Sequence, residues 1–306
     1  MDYEGSFRSR DGLDFFERGW EPESPARACI VHLHGYGEHC SRYAEMASAL
    51  NGAGFSVHTY DQRGFGKSPG RRAYLRDFDV LLTDLDAFLA HVKLRIAGKP
   101  WFLMGHSMGG LVLASYVETR NVDARGLIFS SPFLGFNDNV SPLLLKVARI
   151  LGALTPWLPV SSVDNTRLSR DQKVVEEADR DPLSFHGHIR ARTGAQFNSA
   201  ITRARAGFHD INAPLYIIHG TDDALVPVEG SKLLYERCGS KDKTLKIFEG
   251  GYHELWNDLD KQDVFAGICE WLSAHVGPIW KSDLRENNAR AAEKGGRFSC
   301  CSANTW

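Results

Sequence analysis

Gly105, Ser107 and Gly109 form a G-x-S-x-G motif between an apolar run, WFLM, and a helix-forming run, GLVLASYV. The motif is typical of a nucleophile elbow, a sharp strand-to-helix turn that holds a serine in a strained backbone conformation. Side chains two residues before and after the serine would collide in that turn, and glycine avoids the collision. Ser107 is therefore the candidate nucleophile.

A serine hydroxyl needs a base that takes its proton and a carboxylate that orients the base. Both residue types follow apolar runs in the last third of the chain. We favour Asp223 as the acid and keep its neighbour Asp222 as the alternative, with a turn cap as its other role. His253 is the favoured base because it follows a run and a glycine pair, whereas His219 is expected to be packed or hydrogen-bonded.

Acyl transfer also needs hydrogen-bond donors for the oxyanion, and backbone N–H groups serve well because they need no reorganisation. Met108 follows the candidate nucleophile and begins the predicted helix, whose dipole favours negative charge there. The run HGYG follows an early apolar run, ACIVHL, in the place of the second donor loop. We therefore predict the N–H groups of Tyr36 and Met108 as the oxyanion donors.

Apolar runs alternate with helical patterns along most of the chain, and they place the candidate residues at strand ends. Predicted strands cover Ala28–Leu33, Phe55–Tyr60, Trp101–Met104, Gly126–Phe129, Leu215–Ile218 and Thr244–Phe248. Predicted helices cover Arg42–Leu50, Phe78–Ile96, Met108–Thr119, Gly230–Arg237 and Val264–His275. The alternation predicts an α/β fold with a mostly parallel central sheet and helices on both faces, preceded by a hairpin that turns at Asp11-Gly12.

The alternation stops at about 133–213, where the pattern is helical without strands. We interpret this segment as an insertion over the sheet of a single domain, 1–276. Its first helix has Ser141 as the predicted N-cap and Pro142 at the first helical position. It is too short to span a bilayer. Residues 277–306 carry little to bury, and we predict that they form a flexible tail.

Composition and motifs exclude several functional classes. Lys and Arg number 36 against 38 Asp and Glu, which argues against a nucleic-acid partner. The run from Phe65 to Ser68 ends like a phosphate-binding loop, but its first glycine would fall on Asp61. We find no metal-ligand spacing and no cofactor motif, so we expect neither a metal nor a cofactor. The N-terminus carries no apolar secretory segment, which predicts a cytoplasmic protein.

With these residues assembled, the chain resembles the monoacylglycerol lipase and lysophospholipase family of serine α/β-hydrolases over about residues 5–276. The segments that carry the resemblance are HGYGEHCSRY (34–43), DQRGFGKSPG (61–70), GHSMGG (105–110), DNTRLSRD (164–171), DPL (181–183) and DKTLKIFEGGYHEL (242–255). The resemblance implies an α/β-hydrolase fold with a helical lid and the triad Ser107, Asp223 and His253.

It also implies a polar substrate pocket formed by Glu38, Arg42 and His106. The sequence departs from the family's pattern at two positions of this pocket. The lid tyrosine of the animal enzymes corresponds to Ala178, and their second histidine corresponds to Trp256. These departures bear on recognition of glycerol and leave the ester chemistry intact.

The resulting hypothesis is hydrolysis of monoacylglycerols through an acyl-enzyme on Ser107. The alternatives are a lysophospholipase or broad carboxylesterase, a peptidase, and a non-catalytic binding member of the fold. The lid helix, with Lys146 and Arg149, is a candidate for peripheral membrane contact. Acylation of Cys300 and Cys301 is the alternative to an unmodified tail. The sequence leaves the oligomeric state open.

Overall fold

The structure is a computed structural model that describes residues 1–96, 98–136, 147 and 150–277. Four of the residues discussed for the lid helix, Ser141, Pro142, Lys146 and Arg149, lie outside this part of the chain. So do Cys300 and Cys301 with almost all of the predicted tail. Within the described ranges, no helix is both long and apolar enough to cross a bilayer.

Eight strands of the described chain form one sheet. They are β1 Asp2–Arg8, β2 Asp14–Trp20, β3 Ala28–Leu33, β4 Phe55–Tyr60, β5 Trp101–His106, β6 Gly126–Ser130, β9 Leu215–Gly220 and β10 Lys243–Phe248. Their order in the sheet is β1-β2-β4-β3-β5-β6-β9-β10. The opening hairpin and the β2–β4 pair are antiparallel, and all other neighbours are parallel. The predicted hairpin and mostly parallel sheet are confirmed.

Helices cover both faces of this sheet. The described helices with defined bounds are α1 Ala44–Gly52, α2 Asp79–Lys93, α3 Met108–Thr119, α4 Gln172–Arg180, α5 Ala191–Gly207, α6 Val228–Arg237 and α7 Lys261–His275, of which α4 and α5 belong to the chain between β6 and β9. Successive residues of a strand point to opposite faces. Accordingly, Val31 of β3 packs in the core with α2 and α3, whereas its neighbour Ile30 packs in the core with α1 and α7.

The chain between β6 and β9 contains α4 and α5 together with a second, two-stranded sheet. Its strands are β7 Pro159–Ser162 and β8 His188–Arg190, which pair antiparallel. The expectation of a segment without strands is therefore wrong. Both strands are too short, and β7 too exposed, to leave a pattern of alternating apolar residues in the sequence. The role of the segment as a lid stays a prediction.

Candidate active site

Ser107 occupies a strained turn between β5 and α3. Its backbone has φ 49° and ψ −114°, a region that residues other than glycine rarely adopt. A Cβ atom on Gly105 would approach the Gly109 carbonyl oxygen to 2.5 Å, and one on Gly109 would collide with the carbonyl oxygen of Leu33. The two glycines thus allow the strand, the turn and the helix to pack closely enough to form the elbow.

Asp223 and His253 meet at the carboxyl ends of the neighbouring parallel strands β9 and β10. Nδ1 of His253 lies 2.7 Å from Oδ2 of Asp223. The other carboxylate oxygen, Oδ1, accepts hydrogen bonds of 2.9 Å from the N–H groups of Leu225 and Val226. Asp222 is exposed, and its carboxylate accepts a bond from the Thr221 hydroxyl instead. The geometry therefore separates the two adjacent acids.

The contact between Asp223 and His253 favours the charged form of each residue. Burial opposes the charged imidazolium, but the charge and hydrogen bond of Asp223, with smaller contributions from Glu254 and Glu38, raise the pKa of His253 above its usual value of 6.5. Burial likewise opposes ionisation of Asp223, yet His253 and His219 lower the pKa of this carboxyl well below its usual range. His253 is thus more basic than an ordinary histidine, as a general base requires.

Ser107 and His253 line the same cavity, and their side chains share no hydrogen bond in the described part of the chain. In unliganded enzymes, such bonds are often long and tighten only when substrate binds. The His106 ring lies against His253, with 4.6 Å between the ring centroids. Ser107 and His253 therefore face the same space.

The predicted oxyanion donors lie beside Ser107, the predicted nucleophile. A Cβ atom on Gly35 would come within 3.2 Å of the Ser107 Cβ, so the turn that carries Tyr36 is pressed against the elbow. The N–H of Gly35 is already bound to Oε1 of Glu38 at 2.5 Å. Met108 is the first residue of α3, where N–H groups have no acceptor within the helix. Tyr36 and Met108 both line the cavity.

Glu38, Arg42 and Glu254 form a buried charged cluster beside His253. The Arg42 guanidinium lies 2.7 Å from a Glu254 oxygen and 3.6 Å from a Glu38 oxygen. Burial and the neighbouring Glu254 charge raise the pKa of Glu38 to about 7. The sequence analysis predicted Glu38 and Arg42 as pocket residues but not Glu254. The one feature of the sequence that could have indicated Glu254 is its position directly after His253. All three line the cavity.

His106, the third predicted pocket residue, is buried and neutral. Burial, with the nearby His253, lowers the pKa of His106 well below its usual value. Its Nδ1 lies 3.1 Å from the Ser130 carbonyl oxygen, so the hydrogen belongs on Nδ1. Trp256 packs edge-on against the ring at 4.3 Å. Among the residues that the structure describes, Nε2 of His106 makes no hydrogen bond, so it is available to bind a ligand.

The cavity in front of Ser107 has a volume of about 640 Å³. Its walls combine the charged cluster with aromatic and aliphatic side chains, and several of these come from the chain between β6 and β9. The apolar lining residues include Phe133, Phe136, Leu151, Val160, Phe185 and Phe197. Ala178 and Leu168 also line it. A space of this size and polarity suits a small amphipathic ligand.

Among the residues that the structure describes, no cluster of three or more His, Cys, Asp or Glu side chains has the arrangement of a metal site. The four cysteines in these ranges, Cys29, Cys40, Cys238 and Cys269, carry free thiols.

Comparison with known proteins agrees with this geometry. Residues 24–260 match the Hydrolase_4 family model, described as serine aminopeptidase, S33. The monoacylglycerol lipase of Mycolicibacterium smegmatis is 34% identical over 277 residues, which cover 89% of this chain and 98% of that protein. Human monoglyceride lipase is 33% identical over 266 residues, which cover 86% of this chain and 88% of that protein.

Solved structures show the same relationship and confirm the predicted α/β-hydrolase fold. The crystal structure of Paleococcus ferrophilus monoacylglycerol lipase has a TM-score of 0.76 and 35% identity, covering 85% of this chain and 99% of the other. A soluble variant of monoglyceride lipase from Saccharomyces cerevisiae, in complex with a substrate analog, has a TM-score of 0.77 and 25% identity, covering 88% and 94%. The chain therefore belongs to the Hydrolase_4 family, and within it to the carboxylic ester hydrolases of the monoacylglycerol lipase group.

Proposed function

We propose that this protein hydrolyses the ester bond of monoacylglycerols to a fatty acid and glycerol. The observation that carries the proposal is the 2.7 Å contact between His253 and Asp223, at a cavity that also receives the strained elbow of Ser107. The names of the relatives at 33–34% identity point to the same substrate class.

In the proposed mechanism, His253 takes the proton of Ser107 as its hydroxyl attacks the ester carbonyl. The N–H groups of Tyr36 and Met108 stabilise the oxyanion of the tetrahedral intermediate. Its collapse forms the acyl-enzyme, while His253 gives the proton to the departing glycerol oxygen. Water, deprotonated by His253, then attacks the acyl-enzyme; the fatty acid is released as the bond to the Ser107 oxygen breaks, and His253 returns the proton to that oxygen. Asp223 stabilises the imidazolium in both steps.

The lining of the cavity supports an amphipathic substrate. The aromatic side chains, among them Phe133, Phe185 and Phe197, offer apolar surface to an acyl chain. Glu38, Arg42 and His106 offer acceptors and donors that suit the hydroxyl groups of glycerol. Ala178, which also lines the cavity, adds no polar group where a tyrosine would supply one, so the polar contacts come from Glu38, Arg42 and His106.

The charge of the same cluster favours glycerol over a phosphate-bearing head group. Two carboxylates, Glu38 and Glu254, face one guanidinium, Arg42. With Glu38 partly protonated near neutral pH, the cluster still carries no net positive charge. Within this cluster a phosphodiester would lose hydration without gaining an unpaired cation, whereas Arg167, which also lines the cavity, lies outside the cluster. Lys146 and Arg149, the cations considered for a lysophospholipid, lie outside the described residues.

A substrate panel tests this function: a monoacylglycerol, a lysophosphatidylcholine of the same chain length, a triacylglycerol and a p-nitrophenyl ester. We expect the highest kcat/KM with the monoacylglycerol. A higher value with the lysophosphatidylcholine would show that the head-group argument is wrong. Failure of every ester would leave a peptidase or a binding protein as the explanation.

We further propose that the segment 150–160 touches the lipid surface from which substrate is drawn. It exposes apolar side chains, with Leu154 at 76%, next to Leu151 and Val160, which line the cavity. Trp157 of this segment is 43% exposed; its ring stacks on Tyr74, and the Arg71 guanidinium carbon lies 3.2 Å from the ring centroid. An exposed apolar patch at a cavity wall is typical of a lipid-contact site.

Sedimentation with phosphatidylcholine vesicles tests the contact. Leu154→Asp should reduce the fraction of protein bound to vesicles. The matched control is Leu94→Asp, because Leu94 is 83% exposed and lies just after α2, outside the cavity lining. An equal loss of vesicle binding in both variants, or no loss in either, would contradict a contact through this segment.

A further inference from the structure

A second histidine contacts the carboxylate that orients His253. His219 lies in β9 and is fully buried, with 0% of its surface exposed. Its Nε2 lies 3.1 Å from Oδ2 of Asp223, the same oxygen that His253 contacts. It lies at the same distance, 3.1 Å, from the carbonyl oxygen of Val226.

The neighbours of His219 determine which ring nitrogen carries the hydrogen. Both groups near Nε2, the Asp223 carboxylate and the Val226 carbonyl, are acceptors, so Nε2 must be the donor. The hydroxyl of Ser231, a buried residue of α6, lies 2.7 Å from Nδ1. In the neutral ring, Nδ1 has a lone pair, so the Ser231 hydroxyl donates to it. The Ser231 bond therefore fixes the tautomer with its hydrogen on Nε2, where the Val226 carbonyl oxygen accepts the hydrogen bond and Oδ2 of Asp223 lies at the same distance, within reach of the same N–H.

We propose that His219 is a positioning residue for the reaction, acting through Asp223. The inference rests on the proposed function, because it assumes that Asp223 orients the catalytic base. Oδ1 of Asp223 is held by two backbone N–H groups. Oδ2 is shared between the two histidines, so the contact with His219 fixes the plane of the carboxylate and withdraws part of its negative charge.

The contact has a consequence for the base. A carboxylate that receives an additional N–H is less basic, and it holds the imidazolium of His253 less strongly. Removing the N–H of His219 leaves His253 as the remaining side-chain partner of Oδ2 and should raise the pKa of His253. The other groups that face His253 are Glu254, Glu38 and His106, and none of them changes in such a variant.

The experiment compares His219→Leu, which removes the donor, with His219→Gln, whose amide N–H replaces it. We expect kcat of His219→Leu to fall by about 10-fold to 100-fold, the range found when outer hydrogen-bond partners are removed from metal-site histidines. Its acid limb in the pH profile of kcat/KM should move to higher pH. His219→Gln should restore both quantities toward wild type.

His275→Leu is the matched control, because His275 also makes a 3.1 Å contact with an aspartate, Asp242, but lies at the end of α7 away from the cavity lining. It should leave kcat and the acid limb unchanged. If His219→Leu keeps wild-type kcat and acid limb, or if Gln and Leu are equally impaired without movement of the limb, the positioning role is wrong.

Two further measurements test the positioning role of His219. If His219→Leu does not fold, Ser231→Ala serves instead. This variant retains the buried ring of His219 but weakens its N–H as a donor, so the acid limb should move the same way by a smaller amount; an unmoved limb would contradict the role.

The low-field proton resonance of the His253 Nδ1–H reports on the contact between His253 and Asp223 and needs no turnover. If wild type hydrolyses no ester, the proposed function fails, and a resonance that differs between wild type and His219→Gln or Ser231→Ala still supports the contact, whereas identical spectra overturn it.

Discussion

Nδ1 of His253 lies 2.7 Å from Oδ2 of Asp223, although the two residues are 30 positions apart and follow different strands. The adjacent acid, Asp222, is exposed and makes no such contact among the described residues. This difference gives a matched pair of variants. Asp223→Asn should lower kcat by about 10⁴-fold, since the amide disfavours the productive tautomer of the base. Asp222→Asn should retain nearly full activity. Similar losses in both variants, measured as initial rates on a monoacylglycerol, would contradict the assignment.

The raised pKa of His253 predicts the pH dependence of the reaction. The base must be neutral to take the serine proton, so kcat/KM should rise with pH and level off only above a pKa higher than 6.5. A pH profile on a monoacylglycerol, which does not titrate in this range, measures that limb. Glu254→Gln should move the limb to lower pH, because it removes a negative charge next to the base. A wild-type limb at or below 6.5 would contradict the arrangement.

Glu38 holds the turn that carries the predicted oxyanion donor. Its Oε1 accepts hydrogen bonds of 2.5 Å from the Gly35 N–H and 2.6 Å from the Tyr43 hydroxyl. Glu38→Ala leaves two buried donors without acceptors, each at a cost of about 1–3 kcal/mol, and should lower both the free energy of unfolding and kcat. Glu38→Gln keeps one acceptor oxygen and should retain most of the free energy of unfolding and most of kcat. Urea unfolding and initial rates distinguish the two variants, and equal behaviour would refute the role of Oε1.

The close packing of the elbow predicts that Gly109 tolerates no side chain. A Cβ atom there meets the carbonyl oxygens of Leu33 and His34, which are backbone atoms of β3 and its loop. Gly109→Ala should lower the free energy of unfolding by about 1–3 kcal/mol, the usual cost of overpacking. Gly52→Ala is the control: nothing lies within 4 Å of the added atom, and alanine in α1 should stabilise by up to about 1 kcal/mol. Urea unfolding that shows the reverse order would contradict this packing.

Asp258 links the loop that carries His253 to the segment before α4 through a hydrogen bond and an ion pair. Its buried carboxylate accepts a 2.9 Å hydrogen bond from the Tyr252 N–H, just before His253, and lies 2.9 Å from the Arg170 guanidinium. Asp258→Ala should lower the free energy of unfolding by about 3 kcal/mol, as expected when one partner of a buried pair is removed. Asp260→Ala is the milder control, because Asp260 also pairs with Arg170 but is partly exposed. Equal losses in urea unfolding would show that burial of Asp258 is not what matters.

Much of the fold was predictable because its signals are local. The apolar run of β3 coincides with the observed strand, since a strand covered on both faces has no polar side to interrupt it. The elbow was predictable for a similar reason: the serine and its glycines are adjacent in sequence. The short strands β7 and β8 were missed because three or four residues carry no reliable period.

The site was predictable only as far as its residues follow strand ends. Sequence reasoning left Asp222 as an alternative because two adjacent acids are equivalent until the turn after β9 directs one of them inward. The pair of Arg42 and Glu254 was not predicted, since 212 positions separate the two residues and only the fold joins them. The contact of His219 with Asp223 was not predicted either, although only four positions separate them, because the turn after β9 determines which groups the carboxylate meets.

The most direct test of the central claim is the rate of monoacylglycerol hydrolysis by Ser107→Ala, with folding checked by circular dichroism. We expect a loss of about 10⁶-fold in kcat, the scale seen when the nucleophile of a serine hydrolase is removed. A fluorophosphonate probe should label Ser107 in the wild type and fail to label the variant. Full hydrolysis by folded Ser107→Ala would contradict the mechanism.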